Sequence, residues 1–144
     1  MKIADREFVP LILGSDINTY SMSRAFYEEY GVKSIVIGKS NTGPSCHSRI
    51  IDFRFVPELD KQEVFLRTIN DTASKHRDKK VILLGCGDNY VELIIKNRKA
   101  LPGNIIAPYV DEDLMQRLLT KREFYRMCES FGIDYPSTFI YNGQ

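Results

Sequence analysis

Short apolar runs alternate along this chain with stretches of helical periodicity, the pattern of βαβ units around a parallel sheet. Phe8-Val-Pro-Leu-Ile-Leu13 predicts a first strand that closes on Gly14. Ser15 or Asp16 stands where a side chain caps the next helix by accepting N–H bonds from its first turn. Met22, Ala25, Phe26 and Tyr30 share one face of that helix, and Gly31 ends it. Ser34–Ile37 reads as a second strand. Ile50–Val56 reads as a third, and its alternation of Ile51, Phe53 and Phe55 with Asp52 and Arg54 suits an outer position. Asp60 opens a helix in which Phe65, Ile69 and Ala73 recur every four residues. Val81–Leu84 is apolar throughout and predicts a central fourth strand. A helix with Val91, Ile94 and Ile95 comes next, Leu101-Pro-Gly103 breaks it, and Asn104–Ala107 forms a fifth strand. Asp111 and Asp113 crowd the start of another helix, where negative charge is favoured. A last helix from Thr120 to Gly132 hands over to an extended piece, Ser137–Tyr141. The expected fold is α/β: a three-layer, doubly wound parallel sheet of about five strands in the order 3-2-1-4-5.

In open parallel sheets, ligands bind outside the carboxyl ends of the strands, where the strand order reverses. Gly14-Ser15-Asp16 and Gly85-Cys86-Gly87-Asp88-Asn89 come directly after the first and fourth strands, which that order makes neighbours. Both turns open a helix, so their backbone N–H groups suit a carboxylate or phosphate. Gly14, Ser15, Asp16, Gly85, Gly87, Asp88 and Asn89 are therefore candidate ligand-binding residues. A second reading gives the glycines to tight turns and the four polar residues to helix caps. The dinucleotide fingerprint is incomplete, since the first turn has one glycine and no third completes Gly85-Cys86-Gly87 at Tyr90. Gly38-Lys39-Ser40 lacks the earlier glycine of a phosphate loop, and no aspartate closes the third strand to accept a phosphoryl group. Cys46 and His47 adjoin in a polar loop, Lys39–Ser48, without a carboxylate or second histidine at ligand spacing. They read as loop residues, and Tyr20, Tyr27, Tyr30 and Tyr90 read as packing residues.

Charge adds little to this picture. Acids and bases nearly cancel at a formal net charge of +1, and the densest basic cluster, Lys75 to Lys80, reads as a solvated helix end. Neither balance nor clustering favours nucleic acid. No apolar run approaches the roughly 20 residues that span a bilayer, and the charged N-terminus lacks a signal-peptide core. Three widely spaced cysteines argue against a disulfide framework. A cytoplasmic protein is expected.

The most specific pattern lies near the end. Thr120-Lys121 with Phe124, Cys128, Gly132-Ile133 and Pro136, behind a five-stranded α/β order, resembles the ATP-grasp superfamily where its N-terminal and nucleotide-binding domains join. Thr120 stands where that family usually has aspartate. Gly14 to Phe26 and Ser48 to Phe53 are similar to the carboxylate–amine ligases of the superfamily, including D-aspartate ligase-like proteins.

The resemblance implies a Rossmann-like pre-ATP-grasp domain over residues 1–118. It also implies a linker helix and the first strand of a truncated ATP-grasp domain over residues 119–144. By the same resemblance, ATP and Mg²⁺ activate a carboxylate as an acyl phosphate, and the acyl group passes to an amine. Lys121 takes the place of a lysine that contacts ATP phosphates; its other reading is an exposed lysine in a helix's first turn. The two glycine turns and the Ser40–Ser48 loop would form part of the substrate wall. The nucleotide-gripping loop, the adenine-contacting strand and the acidic metal ligands would lie beyond Gln144. The expected partners are thus a missing C-terminal ATP-grasp domain and small-molecule carboxylate and amine substrates, and the isolated chain is expected to be inactive. The alternative is a non-catalytic, Rossmann-like module that binds a small ligand or a protein and packs residues 120–144 as a finished element. The extended piece at Phe139–Tyr141 also offers an edge on which two copies could pair as a homodimer.

Overall fold

The computed structural model describes residues 7–139 and Tyr141. The chain divides into two compact units, Met1–Tyr109 and Val110–Gln144.

The first unit runs β1 (Phe8–Leu13), α1 (Ile17–Tyr30), β2 (Ser34–Gly38), β3 (Ile51–Phe55), α2 (Gln62–Lys75), β4 (Lys80–Gly85), α3 (Asp88–Lys96) and β5 (Ile105–Ile106). The five strands form one sheet in the order β3-β2-β1-β4-β5, and every pair is parallel. This is the doubly wound arrangement the alternating pattern predicts, with β3 at an edge.

Successive side chains leave a strand on opposite faces, so each inner strand fills two cores. Leu11, Leu13, Ile35, Ile37, Val81 and Leu83 pack with Phe65 and Ile69 of α2 and Ile94 of α3. Ile12, Val36 and Ile51 face the other way, with Met22 and Phe26 of α1 against them. Burial on both faces is why these strands read as continuous apolar runs.

Pro10 sits inside β1, which has strands on both sides, and the register accounts for it. Gly14 N–H donates to Ile37 C=O, whereas Leu13 C=O accepts from Cys86 N–H. Backbone groups alternate sides along a strand, so Pro10 shares the β2 side with Gly14. The β1–β2 ladder starts only at Leu11↔Ile35. The missing N–H therefore falls where no ladder bond is required.

Several details differ from the sequence expectation. The buried face of α1 is polar and small: Thr19 and Ser23 are enclosed, Met22 and Phe26 are half-buried, and Ala25 and Tyr30 are exposed. The turn at Gly14 brings α1 so near the sheet that Thr19 fills the gap, and Ser23 satisfies its hydroxyl on Thr19 C=O at 2.8 Å. Asp60 does not cap α2. Lys61 holds that position without a side-chain capping bond, and Asp60 reaches Lys39 instead. β5 is only two residues long, and just before it Asn104 turns its amide to the carbonyls of Ala73 (3.1 Å), His76 (3.0 Å) and Lys79 (3.3 Å) at the end of α2.

The second unit contains α4 (Glu112–Leu119) and α5 (Lys121–Ser130). Asp111 caps α4 by accepting the Leu114 N–H at 2.8 Å. Gly132, at φ 65°, closes α5: Ile133 N–H reaches Cys128 C=O and Gly132 N–H reaches Glu129 C=O, a paired capping motif that needs a left-handed residue. Tyr135 then stacks on Tyr125 with centroids 5.1 Å apart. Ser137–Phe139 and Tyr141 take part in no strand, and Ile140 lies outside the described residues.

Candidate functional site

The β1–β4 register pairs Leu13 with Gly85, so both glycine turns leave the sheet at the same level. Cys86 N–H donates to Leu13 C=O at 2.8 Å, Gly14 N–H to Ile37 C=O at 3.0 Å, and Val56 N–H to Gly38 C=O at 2.9 Å. The segments just past β1, β2, β3 and β4 are thereby tied together at the carboxyl edge of the sheet. This is the crevice position at which open α/β sheets hold ligands.

The chain is packed here with no room for a Cβ, against side chains at Gly14 and against backbone at Gly38 and Gly43. A Cβ at Gly14 would sit 2.3 Å from Thr19 Oγ1 and 3.2 Å from Cys86 Cβ. One at Gly38 would lie 2.7 Å from Gly14 O, and one at Gly43 would lie 2.5 Å from Ser15 O. The Ser40–Ser48 loop makes a short 3₁₀ turn, Pro44–His47, whose buried Ser45 donates to Asp16 C=O at 3.3 Å. This loop and both glycine turns thus form one surface.

The candidate polar residues divide in role. Asp16 is the N-cap of α1: its carboxylate accepts the Thr19 N–H (3.0 Å), the Thr19 hydroxyl (2.9 Å) and the Asn18 amide (3.3 Å). The Thr19 N–H is the main reason its pKa lies below the ordinary aspartate value. A carboxylate already occupies the first turn of α1, which closes that turn to a second anion. Asp88 and Asn89 are not caps. They are the first two residues of α3, exposed, and Gly87 at the cap position makes no side-chain bond. Of the two turns, the second is the open one. Ser15 is half-buried against Gly38, and Gly85 N–H is held by the Tyr109 hydroxyl at 2.7 Å.

Tyr109, Tyr90, Lys39 and Asp60 complete this edge, and pattern reading missed all four as site residues. Burial pushes the Tyr90 and Tyr109 hydroxyls up in pKa, against N–H bonds from Lys39 and Gly85 respectively. Lys39, Asp60, Asn89, Tyr90, Glu92, Leu93 and Lys96 line a cleft of about 220 Å³. The Lys39–Asp60 pair spans 3.0 Å, and each partner's hydrogen bond favours the other's charged form. Both side chains are exposed, so the pair contributes little to stability. The available signal was position: Lys39 directly after β2 and Asp60 in the turn between β3 and α2, at the edge where β1 and β4 end.

Burial also raises the Cys86 thiol, with the Thr19 hydroxyl opposing, so this cysteine is protonated at neutral pH and a poor nucleophile. His47 is exposed and Cys46 half-buried. Among the described residues, no cluster of three or more His, Cys, Asp or Glu could hold a metal ion.

Lys121 is the first residue of α5, exposed, and its side chain has no hydrogen bond or ion pair among the described residues. Thr120 directs its hydroxyl back to Gln116 C=O at 3.5 Å and leaves α5 without a side-chain cap. One exposed ammonium at the start of α5 fits a phosphate contact.

No helix among the described residues is long and apolar enough to cross a membrane. No family model and no solved structure matches the chain. It is 38% identical over 141 residues to a D-aspartate ligase of Enterococcus faecium (strain Aus0004), a match that takes in 96% of this chain. The chain spans about a third of the length of that relative, 34%. It is therefore a homologue of part of a D-aspartate ligase.

Proposed function

We propose that this chain is the N-terminal, substrate-side domain of an ATP-dependent carboxylate–amine ligase of the ATP-grasp type. The observation that carries the reading is the 38% identity to a D-aspartate ligase across nearly the whole chain. The convergence of three loops at the carboxyl edge of the sheet supports it, because that edge is where such a domain presents a ligand. D-aspartate, from the relative's name, is the first carboxylate to test.

In this reading Gly14, Ser15, Asp16, Gly85, Gly87, Asp88 and Asn89 form the substrate wall with the Ser40–Ser48 loop. The Asp16 carboxylate is committed to α1, so that turn contributes backbone and Ser15 rather than charge. Gly87, Asp88 and Asn89 contribute uncapped N–H groups suited to an anionic substrate group. Lys121 contacts ATP phosphates in the whole protein, where Mg²⁺ and most of the nucleotide site belong to a further C-terminal domain. ATP supplies the phosphoryl group that activates the carboxylate before an amine takes the acyl group. Acting on soluble substrates with ATP, the enzyme is cytoplasmic, and this chain alone is inactive.

The test compares the 144-residue chain with a protein extended through the downstream coding sequence. Calorimetric titration with Mg-ATP should give no strong heat with the chain and saturable binding with the extended protein. With D-aspartate and an amine acceptor added, the extended protein should release phosphate in a carboxylate-dependent way, and Lys121→Ala should lower kcat/KM at least about tenfold. Specific ATP turnover by the 144-residue chain would overturn the assignment. So would an extended protein whose phosphate release ignores every carboxylate offered.

A further inference from the structure

We propose that β3 is a self-pairing edge, through which two copies of this chain join antiparallel into one continuous sheet. β3 pairs with β2 alone, so its other side is an edge with no strand beside it among the described residues. The bond from Val56 N–H to Gly38 C=O fixes which backbone groups face inward. Because sides alternate along a strand, residues 52, 54 and 56 address β2, and Ile51, Phe53 and Phe55 turn N–H and C=O outward. Among the described residues, only the Ile51 N–H of these is taken, by Ser48 C=O at 3.3 Å.

That inventory dictates the register. An antiparallel pair of identical strands is centred on one residue, and the centre must turn both its groups outward to exchange two hydrogen bonds with its own copy. Phe53 is the residue that does so in mid-strand. Centring there sets the free Phe55 N–H of each copy opposite the free Ile51 C=O of the other, for four bonds in all. The Ile51 N–H stays with Ser48 C=O, so the Phe55 C=O of the second copy makes no ladder bond there.

The same register places Asp52 opposite Arg54 of the second copy, and Arg54 opposite its Asp52. These are the non-hydrogen-bonded positions, where facing side chains come closest. Asp52 and Arg54 already share a face and pair within one copy at 3.1 Å, with side chains 57% and 32% exposed. Two strands of sequence Asp-Phe-Arg are thus complementary in charge to themselves in the one register that the backbone allows. Phe55, 49% exposed, falls across from Ile51 of the second copy and gains apolar cover. Charged residues often protect an edge strand from association. Here their spacing makes them attractive for a second copy in this one register.

The test uses charge reversal in the full chain, read by sedimentation equilibrium over a wide concentration range. The unaltered chain should approach twice its monomer mass. Asp52→Arg alone and Arg54→Asp alone should each remain monomeric, since like charges then face each other. An equimolar mixture of the two variants should recover the doubled mass, because every facing pair is then opposite in sign. Recovery on mixing also separates the proposal from variants that merely fail to fold. In parallel, the Phe53 and Phe55 amides should become protected from hydrogen exchange as concentration rises. An unaltered chain that stays monomeric, a dimer indifferent to either single reversal, or a mixture that fails to associate would each overturn the proposal.

Discussion

Asp16 holds three donors on one carboxylate, and that single side chain both starts α1 and positions the turn after β1. Its folded-state pKa is lowered from the ordinary value of 3.8, first by the Thr19 N–H. A group with a depressed pKa contributes stability above its unfolded value and loses it as pH falls through the folded one. The melting temperature should therefore decline below about pH 4, partly through this residue. Asp16→Ala should cost about 1 kcal/mol near pH 7, and the deficit should shrink as the solution is acidified. Asp16→Asn keeps an oxygen acceptor, so it should retain most of the neutral-pH stability while flattening the acid limb. Thermal melts of the three proteins from about pH 2 to pH 7 would show this. Equal acid slopes in all three would refute the role assigned to the carboxylate.

Among the elements, α2 has the least conspicuous support. It lacks a side-chain cap at its start, and its end is gathered by the Asn104 amide, which lies within hydrogen-bond distance of three carbonyls. Replacing Asn104 by alanine leaves partly buried carbonyls without that donor and should cost about 1–3 kcal/mol. Denaturant unfolding would register it as a lower midpoint at an unchanged slope. Asn104→Asp should be no better, since a carboxylate cannot donate to carbonyls. In sequence, Asn104 reads only as the first residue of a strand, because its partners lie some 30 positions away. That contrast describes what was legible. Strand and helix placement came from local periodicity, the strand order from the doubly wound class that their alternation implies, and the meeting of Gly14 with Gly85 from that order. The identity of the α1 inner face did not, because Thr19 and Ser23 are buried by the closeness of the turn and not by apolarity. Nor did the Lys39–Asp60 pair or the placement of Tyr90 and Tyr109. Those depend on loops meeting in three dimensions, which no repeat along the chain records.

At the scale of the whole molecule, both core clusters lie within the first unit. Residues 1–109 should therefore fold alone, with a cooperative transition within about 5 °C of the full chain's. A truncated protein with no cooperative melt would show that the unit needs residues 110–144 in order to fold. The first unit also carries the carboxyl-edge surface, built largely from main chain at Gly14, Gly38 and Gly43. That construction limits how a lineage of such proteins can change. A wall of side chains is remodelled one substitution at a time, but a methyl group added at any of these three positions collides first, with Thr19 of α1 at Gly14 and with the turn after β1 at Gly38 and Gly43. If this edge holds the ligand proposed for it, variation in preference has to arise at the few side chains that decorate the frame, such as Ser15, Asn89 and Tyr90. The three glycines thus divide the surface into a part that evolution must inherit and a part that it is free to rewrite.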